Sequence, residues 1–127
     1  MFSWKRPANL GARNGRLAPC KRTPNCVSSQ ADPSDRTHYV APIEFEGSMQ
    51  ALRKAIAKLP LAAIVEATDD YLYAEFRTPI LRFVDDVEFL KADGVLHVRS
   101  ASRLGRRDFN ANRNRVEQLR AFIQSLA

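Results

Sequence analysis

The chain has 127 residues, 45% of them hydrophobic and 27% charged, the make-up of one globular domain with a core of its own. No apolar run approaches the ~18–20 residues of a membrane-spanning helix, and the opening MFSWKRPANLGARNGRL lacks the continuous apolar stretch of a secretory signal. The net charge of +6 divides into basic ends, residues 1–38 and 99–127, around an acidic middle. Basic ends that dock on an acidic middle explain the pattern; a nucleic-acid or anionic-membrane patch is the functional alternative. The default compartment is cytoplasmic, with no transmembrane segment and with peripheral membrane contact compatible with the basic ends.

Residues 1–38 have neither helical nor strand periodicity, and Pro7, Pro19, Pro24, Pro33, Gly11 and Gly15 punctuate them. They read as an extended arm with turns, belonging to the same single domain as the body over 39–127. Within the arm, LAPCKRTPNCVSSQ places Cys20 and Cys26 on one short loop. A disulfide there is geometrically allowed, but the spacing leaves open a redox-sensitive pair beside Lys21 and Arg22, or two inert thiols. Cys20, Cys26, His38 and His97 do not have the spacing of a zinc site, so no metal is expected.

From Tyr39 the body begins. YVAPIEF reads as a short edge strand, because Pro42 cannot donate to a ladder. Ser48 is an N-cap for an amphipathic helix over 49–59, with Leu52, Ile56 and Leu59 inward and Pro60 beyond its end. A two-residue turn at Asp69-Asp70 pairs Thr68 with Tyr71, Ala67 with Leu72, Val65 with Ala74 and Ala63 with Phe76, which sends Ile64, Glu66, Tyr73, Glu75 and Arg77 outward.

The stretch Arg82–Arg103 is a second hairpin about Asp93-Gly94. One face carries Phe83, Asp85, Val87 and Phe89 with Leu96, Val98, Ser100 and Ser102; it is the core face. The other carries Asp86 and Glu88 opposite His97, Arg99 and Arg103. After a polar loop, Val116, Leu119, Ile123 and Leu126 recur at helical spacing. The order is β-α-β-β-β-β-α, an α+β fold in which both helices pack on one face of an antiparallel sheet.

Asp85 interrupts an apolar face, and a buried carboxylate needs partners. Ser100, Ser102, the arm or the loop after Arg103 can supply them; a small polar pocket is the functional reading. Asp86 and Glu88 read as cross-strand ion pairs with His97 and Arg99 on the outer face. Tyr73 and Arg77 could stack a base, but Glu66 and Glu75 beside them disfavour phosphate, so nucleic acid is not the expected partner. Nucleophile-elbow, phosphate-loop, metalloprotease and dinucleotide motifs are all absent, and no cofactor is expected.

LAPCKRTPNCVSSQ, DRTHYVAPIEF, RFVDDVEFL, VRSASRLG and NRNRVEQLR together resemble the domain of unknown function 1499 family over roughly residues 11–125, most specifically in Pro24–Ser29 and Arg99–Arg103. The resemblance implies no activity. It does imply an envelope or periplasmic location for members with an export segment. Two departures are Lys21-Arg22, where the family has small residues, and Arg106-Arg107, where it tends to an aromatic one. Asn25, Ser28, Ser29 and Gln30 match the family in the arm, and Asp85, Arg99, Ser100 and Arg103 match it in the hairpin, so the arm is expected to pack on the hairpin. The resulting expectation is a non-enzymatic domain that binds a small polar or anionic ligand, or a protein partner, at that junction. Arg99, Arg103 and Arg113 would supply charge, and Asp85, Ser100, Ser102, Asn25, Ser28 and Ser29 orientation. A hydrolase or transferase using Asp85 or Cys26, and an envelope-associated structural protein, are the alternatives.

Overall fold

The computed structural model describes residues 5–105 and 110–126. Its frame is an antiparallel five-stranded sheet in the order β3-β7-β6-β5-β4: β3 is Cys26–Ser28, β4 Ala62–Ala67, β5 Tyr71–Arg77, β6 Val84–Ala92 and β7 Val95–Ser102. Two helices, α1 (Met49–Ala57) and α2 (Ala111–Gln124), pack on one face, completing the α+β order expected. A two-stranded ribbon precedes them, β1 (Ala12–Arg13) and β2 (Arg16–Leu17), turned by Asn14-Gly15.

The hairpin turn residues do what their chemistry dictates. Asp93 and Gly94 both have positive φ, 57° and 75°, the two-residue turn whose twist matches the strands it joins. Ala92 pairs with Val95 and the register runs unbroken to Asp85 opposite Ser102. Alternation then sends Val87, Phe89, Leu96 and Val98 inward, each fully buried against Leu52, Ile56, Val116 and Ile123. Ser48 caps α1 by accepting from the Ala51 N–H at 3.0 Å.

Four expectations need correction. The first sheet strand is Cys26–Ser28, inside the arm, while residues 39–45 make only isolated bridges, Tyr39 with Ser28 and Ile43 with Leu96. Pro42, lacking an N–H, sits between those bridges. In β4 a bulge falls between Ile64 and Glu66, so Ile64 pairs with Ala74 and Ala62 with Phe76. Ile64 therefore faces the core, and Val65, expected inside, is exposed. Leu126 lies past the end of α2 and is exposed too.

The fourth correction concerns the second face of the sheet. It is not solvated: the arm lies over it. Leu17 packs with Tyr71, Tyr73 and Leu90, Leu10 joins them at the margin, and the Gly11 N–H donates to Glu88 at 2.8 Å. Gln30 ties the ribbon down, accepting from the Leu17 N–H (2.7 Å) and donating to the Gly15 carbonyl (3.0 Å). The chain thus makes two layers against one sheet, helices on the apolar side and the arm on the polar side.

Candidate functional site

Period-two alternation puts Tyr71, Tyr73 and Glu75 of β5, Asp86 and Glu88 of β6, and Arg99 of β7 on the arm side, and Arg103, just past the end of β7, joins them. Glu75, Asp86, Glu88 and Arg99 are all buried, as are both tyrosines. A charged layer withdrawn from water is stable only where every member has a partner. The layer divides in two on that criterion.

The first half is closed. Arg103 donates from Nε to Asp86 Oδ2 (3.0 Å) and from Nη2 to Asp86 Oδ1 (2.8 Å), Glu75 Oε2 (2.5 Å) and the Tyr73 hydroxyl (3.2 Å). The Tyr73 hydroxyl donates to Asp86, and Arg6 reaches from the arm to Glu75 (2.9 Å). Burial alone would raise the Glu75 pKa, but the hydrogen bonds and charges of Arg6 and Arg103 outweigh it and hold the carboxyl below its ordinary range. Asp86 and Glu75 push Arg103 well above its ordinary value, against the effect of burial. Burial and the hydrogen bond to Asp86 push the Tyr73 phenol upward, so it remains a donor.

The second half is open. Glu88 Oε2 accepts from the Tyr71 hydroxyl (2.5 Å) and the Gly11 N–H, but Oε1 has no hydrogen bond among the described residues and lies 3.6 Å from Arg99 Nη1. Arg99 Nη2 donates to the Pro19 carbonyl at 3.5 Å, and its Nε, fully buried, has no hydrogen-bond partner among the described residues. Burial raises the Glu88 pKa and lowers that of Arg99, each against the charge of the other. Arg99 is therefore a buried cation held loosely.

Arg99 lines a cleft of about 320 Å³ between the arm and the end of the β6–β7 hairpin. Pro7, Asn9, Lys21, Thr23 and Asn25 form its arm side; Asp86, Ala101, Ser102, Arg103 and Gly105 form the hairpin side. A disulfide joins Cys20 to Cys26 and closes the loop that presents Lys21, Thr23 and Asn25. The cleft wall thus carries three cations to one carboxylate, and that carboxylate is already paired with Arg103.

Of the candidate site residues singled out from sequence, Asn25, Cys26, Arg99, Ser102 and Arg103 meet at this cleft. The others serve elsewhere. Arg115 of α2 donates to Asp85 (2.7 Å) while lying over the Phe76 ring, so a helix cation meets this carboxylate. Ser100 instead donates to Asn112 Oδ1 (2.6 Å), and Asn112 Nδ2 donates to Ser102 Oγ (2.8 Å) and the Asn25 carbonyl (3.1 Å). Asn112, wholly buried on α2, is the residue that locks helix, hairpin and arm together. Asn25 Nδ2 bonds the Gly105 carbonyl at 2.7 Å and fixes the cleft's rim. Arg113 clamps the 36–39 turn by donating to the carbonyls of Tyr39, Arg36 and Thr37. Arg106 and Arg107 lie outside the described residues.

Ser29, His97 and Asp93 have the residue types of a hydrolase relay, with Ser29 Oγ 2.9 Å from His97 Nδ1 and Asp93 3.4 Å from Nε2. Their geometry does not suit one. Ser29 Oγ is buried and accepts from the Val98 N–H (2.9 Å), and Asp93 lies exposed on the hairpin turn. The trio pins β3 to β7. Among the described residues no group of three His, Cys, Asp or Glu side chains is placed to hold a metal ion, and no helix is long and apolar enough to cross a membrane.

The sequence signal for the buried layer was its alternation of charge over β6 and β7. What covers it had one local cue, Asn14-Gly15, a hairpin signal inside a stretch otherwise without periodicity. A search of curated proteins and a search of solved structures each found no match. The family model described as protein of unknown function (DUF1499) matches residues 16–123, which takes in the ribbon strand β2, the disulfide loop, the whole sheet and nearly all of α2. The chain belongs to the DUF1499 family.

Proposed function

We propose that this domain binds a small carboxylate in the cleft between arm and hairpin, with Arg99 as the recognising group. The observation that carries the reading is the buried Arg99 guanidinium, which among the described residues has no hydrogen-bond partner for its Nε and only one ion pair, a long one at 3.6 Å. Leaving a charged donor buried and unsatisfied costs about 1–3 kcal/mol. A ligand carboxylate supplies the missing acceptor in a charge-assisted bond and returns that energy on binding. Lys21 adds a second positive charge at the opposite wall, and Thr23, Asn25 and Ser102 offer polar side chains. A cleft of about 320 Å³ suits a metabolite-sized molecule and gives a protein partner little to grip.

The test is calorimetry, after a thermal-shift screen of mono- and dicarboxylates with inorganic phosphate alongside. A carboxylate should raise the melting temperature and bind the native chain. Arg99→Gln should weaken it by tenfold or more, the range for a lost charged hydrogen bond. Glu88→Gln should tighten it, because the carboxylate competing for Arg99 is gone. Equal affinity in native chain and Arg99→Gln would sink the reading, as would a screen in which no carboxylate stabilises the protein.

A further inference from the structure

Among the described residues, the most exposed aliphatic carbon lies on the β5–β6 connection, where Ile80 is 90% and Leu81 55% exposed. This loop is tied, not slack. The Thr78 N–H donates to the Phe83 carbonyl (2.9 Å), the Phe83 N–H to the Thr78 hydroxyl (2.9 Å), and the Arg82 N–H to the Thr78 carbonyl (3.2 Å). Arg82 takes a φ of 58°, a conformation L residues rarely adopt. The backbone therefore holds two large apolar side chains out into water.

Their surroundings are cationic. Residues 76–84 contain no Asp or Glu, nor do residues 58–65, and the Arg77 N–H donates to the Leu61 carbonyl (2.9 Å), which brings the two segments side by side. Lys58 and Arg82 are exposed, and Arg77 comes no nearer than 3.7 Å to Glu75. A projecting pair of aliphatic side chains offers much less than the ~1,000 Å² that a specific protein interface buries. A bilayer surface needs no matching shape, only apolar depth and opposite charge.

We infer that the Pro79–Arg82 tip is a membrane-contact point, with Ile80 and Leu81 entering the headgroup–acyl boundary of an anionic bilayer and Lys58, Arg77 and Arg82 resting against its headgroups. The inference stands independently of the carboxylate cleft. The cleft nonetheless opens at the same end of the sheet, since the Arg103 N–H donates to the Val84 carbonyl (3.3 Å) just past the tip.

The experiment is co-sedimentation of the full chain with phosphatidylcholine vesicles, with and without about one third phosphatidylserine. The native chain should bind the anionic vesicles and bind the neutral ones more weakly. Ile80→Ser with Leu81→Ser should lower the partition by about tenfold or more, the value of withdrawing apolar side chains from the boundary. The melting temperature of that double variant should match the native chain's, because neither side chain is in the core. Ile80→Trp in a Trp4→Phe background should show a blue-shifted emission quenched by lipids brominated near the headgroup. Anionic binding that survives in the double serine variant would overturn the inference, because the basic ends would then carry it. Failure to bind either vesicle would overturn it as well, and would leave the tip to a protein groove.

Discussion

Arg103 is the residue on which the closed half of the buried layer depends, so Arg103→Met tests whether that layer holds the arm face together. The substitution keeps much of the aliphatic stem and removes the guanidinium. Asp86 and Glu75, with side chains 1% and 8% exposed, then face one another without the cation that separates them. Removing one partner of a buried ion pair costs about 3–5 kcal/mol, because the stranded charge is left behind. A domain of this size has roughly 5–15 kcal/mol in all, so the variant gives up a large part of its stability. Urea unfolding at neutral pH is the direct assay.

The pH dependence supplies an independent sign. Glu75 has a folded pKa below its ordinary value, so its contribution is present above its unfolded pKa and is lost as pH falls through the depressed folded one. Arg103 is one of the two cations that depress it. The destabilisation by Arg103→Met should therefore be larger at neutral pH than at pH about 4, where the unfolded chain already takes up the proton. Adding Asp86→Asn to Arg103→Met should recover part of the loss by neutralising a stranded carboxylate. A cost below about 1 kcal/mol at neutral pH, as for an exposed pair, would refute the account of this layer. So would a cost that does not change on acidification.

Three other predictions rest on separate parts of the fold. Asn112→Ala should cost about 2–3 kcal/mol in urea unfolding, since it strands the buried Ser100 hydroxyl and takes away the amide that donates to Ser102 Oγ, whereas Asn114→Ala on the exposed side of α2 should cost little. Replacing Cys20 and Cys26 by Ser should cost about 2 kcal/mol, the value for closing so short a loop, and should weaken carboxylate binding because Lys21, Thr23 and Asn25 lose their frame. His38 has its folded pKa raised: burial opposes this, but the hydrogen bonds to Asp35 and the Thr23 carbonyl prevail. Its contribution is thus complete below its unfolded pKa and lost as pH rises through the folded value. His38→Gln should flatten the decline in melting temperature over that interval, and a native chain with no such decline would contradict the pairing.

Local chemistry carried most of the fold. The Asp93-Gly94 turn, the Ser48 cap and the apolar stripes of α1 and α2 are written within a few residues of where they act, and each folded as its neighbours dictate. The bulge between Ile64 and Glu66 is different: either register buries small or aliphatic groups in Ala-Ala-Ile-Val, so the pattern there cannot choose. The first sheet strand escaped for a related reason, since Cys-Val-Ser is too short to display a period and gains its place from Arg99, Ser100 and Ala101 across the ladder. At the site, alternation assigned Asp86, Glu88, Arg99 and Arg103 to one face, but it carries no information on whether that face meets water. The answer lies in Gly11 bonding Glu88 and Arg6 bonding Glu75, contacts between residues far apart in the chain. Asp85 illustrates the same limit: its anomaly was visible, but its partner Arg115 comes from the far helix.

The two faces of the sheet make different demands on the sequence. The helix side is a sufficient core in itself, with Leu52, Ile56, Phe89, Val98, Val116 and Ile123 wholly out of water. Stability would not require the other face to be ionic, because well-packed apolar residues in place of a buried ion pair are commonly neutral or better. Within that ionic face, Arg103 is matched bond for bond, while Arg99, four residues earlier, is left among the described residues with a long ion pair and an unpaired Nε. A layer built only to fasten the arm would favour the first arrangement at both positions. The unequal treatment of these two arginines is the observation on which the proposed anion site at Arg99 rests.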